Sequence, residues 1–401
     1  MTQPVVTAEP NVEGRSTLHR VLVLAGDLRL GGAEKQLVAL AGGLVDEDVR
    51  VDVCVYDRGH HYDGALCATG AELIDGPRRS DPASRVAHAI QLARRRRPDL
   101  VLSWRFYLNI YAALAGRAIG VPGIGAMRED IDDAFAGVGR LGPACLRLPT
   151  AVLANSRRAA TGIQQRGGTA RYLGNVIDLT AFDAAAAAPV DPPLDPRHRP
   201  RILAVGTLKP EKAYDVLLEA TRILLDDGGA RPLVSIAGHG ELHNTLQLQA
   251  TELGLQHDDV QFLGSRNDVP ALLRSADIAV LSSRQEGTPN AILEAMAAAR
   301  PIVTTDVGDA AVLIEHGRSG LVVPPEDPTA LAVALRTLLD DPATGAVYAA
   351  AARRAVRAYD AVGLGARAIE VLAPFCTQHH AAIDTTGLPE GGRHVRNRRH
   401  S

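Results

Sequence analysis

Short aliphatic runs alternate with amphipathic helical patterns along these 401 residues, and the alternation starts twice. That rhythm predicts open parallel sheets whose crossover connections are helices. In the first half the runs at 20–25 (RVLVLA), 50–56, 99–103, 122–127 and 151–154 read as strands, with helices predicted at 33–45, 83–97, 107–119 and 157–166. The stretch 175–200 breaks the rhythm with alanines at 184–188 and five prolines after them, and reads as an interdomain connection. The pattern then resumes, with strands expected at 201–206, 232–237, 260–262, 277–281, 301–304 and 321–323 and helices at 211–227, 241–253, 267–275, 289–298 and 327–340. The chain is also longer than one core usually sustains. The expected fold is α/β, with two doubly wound, Rossmann-like domains facing a central cleft.

The expected boundaries are a disordered N-terminus at 1–17, a first domain at 18–175, a connection at 176–200 and a second domain at 201–360. Helical patterns at 342–357 and 361–375 follow, and the segment 361–376 is expected to cross back to the first domain. The basic tail 377–401, with Arg393, Arg396, Arg398 and Arg399, reads as disordered. Attraction of that tail to an anionic membrane surface is the alternative.

A net charge of −3 argues against a nucleic-acid partner, whose domain would be markedly basic. Cys54, Cys67, Cys145 and Cys376 are scattered without a Cys-x-x-Cys pair, so they read as reduced thiols in a cytoplasmic protein. The N-terminal residues carry no apolar signal-peptide core, and no apolar run approaches the roughly 18 residues of a membrane span. Any membrane contact is expected to be peripheral, at the inner face. The thirteen histidines form no convincing metal set, and no cofactor is implied.

The segment Glu286-Gly-Thr-Pro-Asn-Ala-Ile-Leu-Glu294 carries the most chemistry. It follows an apolar run, so it joins a buried strand to a helix. Gly287 permits backbone geometry that a Cβ would forbid, Thr288 reads as the N-cap and Pro289 as the first helical residue. Free amides and the dipole at such a helix start attract anions. Glu286 beside the anion and Glu294 a turn into the helix would accept hydroxyls, and together they suggest a nucleotide sugar. Alone, the stretch also fits a surface loop with a capping carboxylate and a solvated helix glutamate.

This stretch resembles the retaining glycosyltransferases of family 4, which have the GT-B fold and two glutamates separated by seven residues. The resemblance implies that Glu286 contacts the donor sugar, that Glu294 contacts the ribose, and that Gly287, Thr288, Pro289 and Asn290 line the donor site. A second segment, Val205-Gly-Thr-Leu-Lys-Pro-Glu-Lys212, matches the family's diphosphate-holding region through Gly206 and Lys212. Thr207 stands where the family usually has arginine, and Arg284 or Arg266 on neighbouring loops is the expected replacement. Gly31 and Gly32 match a Gly-Gly-x-Glu turn beside the donor phosphates. This turn carries no G-x-G-x-x-G dinucleotide fingerprint.

Softer matches are Asn155-Ser156, Asn175-Val-Ile-Asp178, Gly238-His-Gly240, Phe262-Leu-Gly264 and Gly317-Arg-Ser-Gly-Leu321, in the family's order. Many members place a histidine near the donor's anomeric centre. Here Ile124-Gly-Ala-Met-Arg-Glu-Asp130 offers Arg128, to which a charge-stabilising role is assigned, with a loop ion pair to Glu129 or Asp130 as the alternative. The resemblance implies hexosyl transfer from a nucleoside-diphosphate sugar to a hydroxyl acceptor, without a metal ion. The acceptor it suggests is a surface polysaccharide or lipid-linked glycan. A nucleotide-sugar epimerase of the same architecture and a non-catalytic nucleotide-sugar binding protein are the rivals.

Overall fold

The computed structural model describes residues 18–77, 81–190 and 199–384. The expected disordered segment 1–17 and the end of the basic tail, 385–401, lie outside the described residues. Two sheets organise the chain. The first contains β1 (Arg20–Ala25), β2 (Arg50–Val55), β3 (Glu72–Asp75), β4 (Leu100–Ser103), β5 (Gly123–Met127), β6 (Ala151–Ala154) and β7 (Ala170–Tyr172), in the order β3-β2-β1-β4-β5-β6-β7. The second contains β8 (Arg201–Val205), β9 (Leu233–Ala237), β10 (Val260–Gly264), β11 (Ile278–Leu281), β12 (Ile302–Thr305) and β13 (Leu321–Val323), in the order β10-β9-β8-β11-β12-β13. Neighbouring strands in both sheets are parallel. Helices cover both faces, so the central strands are buried along their length and read as unbroken aliphatic runs.

Each sheet therefore reverses its strand order once, between β1 and β4 and between β8 and β11. In open α/β sheets, ligands bind in the crevice beyond the carboxyl ends of the strands at such a reversal.

The alanine-rich part of the expected connection is a helix, Leu179–Ala186, whose Leu179, Phe182 and Ala186 pack into the core under the second sheet. The chain passes between the halves near Ile177 and returns near Asp360, and the two passages are bonded to each other. Ile177 N–H donates to Tyr359 O at 2.9 Å, and Ala361 N–H donates to Ile177 O at 2.9 Å. The last helix, Leu364–Asp384, then lies on the helix Gly32–Asp46, with Leu364, Ala368, Leu372 and Phe375 in the core of the first sheet. The segment expected to become a tail at 377 is thus helical as far as Asp384. Pro374 lies inside this helix. No helix among the described residues is long and apolar enough to cross a membrane.

The docking of the last helix is made close by a glycine pair. A Cβ on Gly365 would lie 1.8 Å from Gly43 O, and one on Gly43 would lie 2.8 Å from Gly365 N. Backbone cannot move aside as a flexible side chain can. Gly365→Ala should therefore cost about 1–3 kcal/mol, the usual range for overpacking. Denaturant unfolding would check it; an unchanged midpoint would mean that the final helix docks loosely.

Candidate functional site

At the second sheet's reversal, the chain leaving β8 makes a 3-10 turn, Pro210–Lys212, before the helix Tyr214–Asp226. Ala213 separates them in a left-handed conformation, φ +49°, which is strained for a residue with a Cβ. The loop after β11 clamps this turn: Ser282 Oγ donates to Lys212 O at 2.9 Å, and Arg284 N–H donates to Glu211 O at 2.8 Å. The clamp brings two sequence-predicted residues together. Lys212 Nζ lies 2.5 Å from Glu286 Oε1, which also accepts from Ser283 Oγ at 2.8 Å. Gly206 makes room for the Tyr214 hydroxyl, which would be 2.8 Å from a Cβ there. Burial and the Glu286 charge both push the Tyr214 phenol far above its ordinary pKa, so it stays a neutral hydroxyl.

Glu294 is on the helix Asn290–Ala297 and reaches the other half of the molecule, where Lys35 Nζ approaches its Oε1 to 2.5 Å. Burial pulls the Lys35 ammonium down, but the charge of Glu294 and its hydrogen bond outweigh this and raise it. The neighbouring Asn290 side chain is also committed across the cleft, its Oδ1 accepting from Gln36 Nε2 at 2.9 Å and Asn175 Nδ2 at 3.1 Å. Gly32 is what permits this approach, because a Cβ there would lie 2.2 Å from Asn290 Nδ2. Gly31 is extended and leaves space for Glu34, whose Oε2 would be 2.4 Å from a Cβ.

Several expectations are corrected here. Pro289, not Thr288, is the N-cap, and the helix begins one residue later than expected, at Asn290. The Thr288 hydroxyl instead crosses the cleft to donate to Asn155 O at 2.6 Å. Gly287 needs no left-handed backbone; it is glycine because a Cβ would lie 2.6 Å from Asn155 Oδ1. Gly287, Thr288 and Pro289 are all buried against the first half, and Pro289 has no N–H to offer. Nor does either expected arginine replace the family's at Thr207. Arg284 is held by Asp215 at 2.6 Å and by Glu326, while Arg266 is held by Asp268 at 2.6 Å.

Arg128, just past β5, lies flat on Trp104, with its guanidinium carbon 3.7 Å from the ring centroid. Burial, then the charge of Arg105, pull its pKa down to about 9. Its Nε and Nη2 are buried without an acceptor, so the expected pairing with Glu129 or Asp130 is not formed. The buried Glu34 pairs with Arg105. Leaving a buried donor unsatisfied costs on the order of 1–3 kcal/mol, against about 0.5–2 kcal/mol returned by the aromatic face.

The sequence reading missed Asp309, a buried carboxylate that joins the halves. Asp309, 2% exposed, accepts from the backbone N–H of Arg157 at 2.9 Å through both carboxylate oxygens, and from Arg158 N–H at 3.4 Å. Those amides start the helix Arg157–Gln165 of the first half, so the carboxylate caps a helix across the cleft. Lys35, Gln36 and Arg105 were also missed as site residues. A partner lying some 260 positions away, as for Lys35 and Glu294, leaves no local pattern. Among the described residues no group of His, Cys, Asp and Glu is arranged to hold a metal ion.

Comparison with known proteins agrees with this arrangement. The description Glycosyltransferase Family 4 matches residues 30–180, and Glycosyl transferases group 1 matches residues 199–341. The chain belongs to glycosyltransferase family 4. Alpha-D-kanosaminyltransferase of Streptomyces kanamyceticus is 37% identical over 36% of this chain and 37% of its own length. The lipopolysaccharide core biosynthesis glycosyltransferase LpsE of Rhizobium meliloti is 24% identical over 78% of this chain and 86% of its own. The chain spans less than half the length of the first curated relatives it matches. Among solved structures, Anabaena HepE in complex with UDP and glucose aligns with a TM-score of 0.76 and 22% identity, covering 89% of this chain and all of that one. The fold of this family-4 chain is GT-B.

Two outcomes follow for the seam between the halves. Asp309→Ala should cost about 2–4 kcal/mol, the loss of charge-assisted bonds to a helix start, and should enlarge the radius of gyration in small-angle scattering. Neither change would mean that the seam does not depend on Asp309. Because the folded state raises Lys35 above its ordinary 10.5, the contribution of its pair with Glu294 is present below that pH and lost as pH rises through the higher folded value. The difference in thermal midpoint between the wild type and Lys35→Met should be constant from pH 7 to about 10 and shrink above that.

Proposed function

We propose that this protein transfers a hexosyl unit from a nucleoside-diphosphate sugar to a hydroxyl acceptor. The observation that carries the reading is the pair of carboxylates flanking the start of helix Asn290–Ala297 at the second sheet's reversal, each matched by a lysine. Phosphates need cations and amides, whereas sugar hydroxyls need acceptors, and this site offers both within one loop and one helical turn. Glu286 orients the transferred sugar, Glu294 accepts from the ribose, and Lys212 with the amide of Asn290 holds the diphosphate. Gly206, Gly31 and Gly32 let Tyr214, Glu34 and Asn290 pack closely beside this donor site. The names of the relatives support glycosyl transfer, and one of them acts in lipopolysaccharide core biosynthesis. A surface polysaccharide or lipid-linked glycan is the acceptor class proposed here, held by the first half across the cleft.

The proposed step is front-face displacement with retention. The bond between the anomeric carbon and the diphosphate oxygen breaks, and the acceptor oxygen bonds to that carbon on the same face. The acceptor proton passes to the departing phosphate. The protein's share is to hold two substrates in line and stabilise negative charge growing on the diphosphate. Lys212 and the helix start supply that stabilisation, and the proposed chemistry calls for no metal ion.

One observation favours the non-catalytic reading: Thr207 leaves a cation missing, and Arg284 and Arg266 are both engaged by carboxylates. A thermal-shift screen of UDP-, GDP-, ADP- and dTDP-sugars separates the cases, because a ligand of the folded state raises its stability with concentration. One donor should stabilise the wild type, and Lys212→Ala and Glu294→Ala should each weaken it at least about tenfold, equivalent to 1.4 kcal/mol. No shift with any donor at millimolar concentration would defeat the proposal. Binding without transfer or slow donor hydrolysis would leave the non-catalytic protein. Anomeric configuration of the product, read by NMR, tests retention.

A further inference from the structure

Lys212, Glu286, Lys35, Glu294 and Arg105 each have a charged partner. Arg128 has none. Its Nε and Nη2 are shielded from water, its planar face is held by Trp104, and Trp104 is itself fixed by donating Nε1–H to Ala33 O at 2.7 Å. The guanidinium is therefore held against the ring by a neighbour that leaves its Nε and Nη2 without an acceptor. Buried donors left in this state call for an acceptor that arrives from outside. Glu34 is engaged by Arg105. Glu129, one residue on, is exposed.

The position is informative as well. Arg128 follows β5 and stacks on Trp104, which follows β4 and is bonded to Ala33 beside the Gly31–Gly32 turn, whereas Lys212 and Glu286 stand at the second sheet's reversal. A planar guanidinium with free donors matches carboxylate or phosphate geometry, and its charge favours those anions over a neutral hydroxyl. We propose that Arg128 is the floor of an anion pocket that takes a carboxylate or phosphate carried by a substrate outside the nucleoside diphosphate. This names a substrate class for the transferase read above: either the transferred sugar is a uronate or the acceptor bears a phosphate. It assigns to Arg128 a recognition role in place of stabilising the departing diphosphate.

The chain has one tryptophan, so the fluorescence of Trp104 reports directly on the group stacked upon it. The full-length protein, saturated with whichever of UDP, GDP, ADP or dTDP binds, would be titrated with glucuronate, inorganic phosphate and glucose. The anions should change Trp104 fluorescence saturably, and glucose should not. Arg128→Gln should weaken the anion at least about tenfold and alter nucleoside-diphosphate affinity less than about threefold. Arg128→Lys, which keeps the charge, should retain part of the anion binding and guards against misreading a folding defect. Tighter binding of the nucleoside-diphosphate glucuronate than of the glucose donor, lost in Arg128→Gln, would assign the anion to the transferred sugar. Phosphate binding on top of a bound glucose donor would assign it to the acceptor.

Competition between phosphate and the nucleoside diphosphate would overturn the proposal, because Arg128 would then belong to the diphosphate. A tenfold loss of nucleotide affinity in Arg128→Gln would do the same. So would the absence of any anion response in the wild type. Failure of every nucleotide to bind counts against the transferase reading instead, and the anion titration of the free protein still decides the pocket.

Discussion

The separation of the two sheets' carboxyl edges governs everything in the cleft, and a carboxylate seated on a helix start does most to set it. Asp309 belongs to the loop after β12, yet it caps the helix that follows β6. Its own N–H donates to Gly287 O at 2.9 Å, so the same residue anchors the glutamate-bearing loop. Gly308 makes that anchorage possible: at φ +52° its missing Cβ would stand 1.9 Å from Gly287 O. One carboxylate thus ties together the candidate donor loop and the opposite half. Other seam contacts, among them Lys35 with Glu294, Asn155 with Thr288 and Asn175 with Asn290, are polar as well. Polar contacts exchange protein partners for water on opening, so the halves can separate without exposing a core.

The fold was legible because its signal is local and repeated. Buried parallel strands must be continuous aliphatic runs, and the eleven runs picked out on that basis coincide with strands of the two sheets. The two strands missed, β3 and β7, are edges: β3 is only half-buried and β7 has three residues, so neither carries such a run. The glutamate pair was legible for a similar reason, since a strand, a loop and a helix start occur in one short stretch. What the sequence concealed is partnership. Thr288 has the composition of an N-cap, and nothing beside it announces that Asn155, 133 positions away, takes its hydroxyl. Arg284 has the charge and place to hold a phosphate, but Asp215 and Glu326 meet it only after folding. Glycine at 287 suggested an unusual backbone, and its real cause is a neighbour from the other half.

Charge pairing in the cleft also explains how so many ionised groups can be accommodated before any substrate arrives. A half-buried carboxylate without a partner is costly, and Glu286 and Glu294 avoid the cost by holding Lys212 and Lys35. Under the function proposed above, a ligand bearing both phosphates and hydroxyls would fit such pairs by exchange: the lysines turn to the phosphates and the carboxylates accept from the hydroxyls. The number of satisfied charges is conserved, so binding need not liberate a buried ion. A ligand with hydroxyls alone would strand the lysines, and one with phosphates alone would strand the glutamates. On that proposal, selectivity for a molecule that carries both would follow from the pairing itself, before shape is considered. Arg128 breaks the pattern, because its buried Nε and Nη2 have no partner to exchange. The same reasoning that makes the lysine–glutamate pairs complete makes that guanidinium incomplete, and the anion pocket proposed for it is what restores the balance.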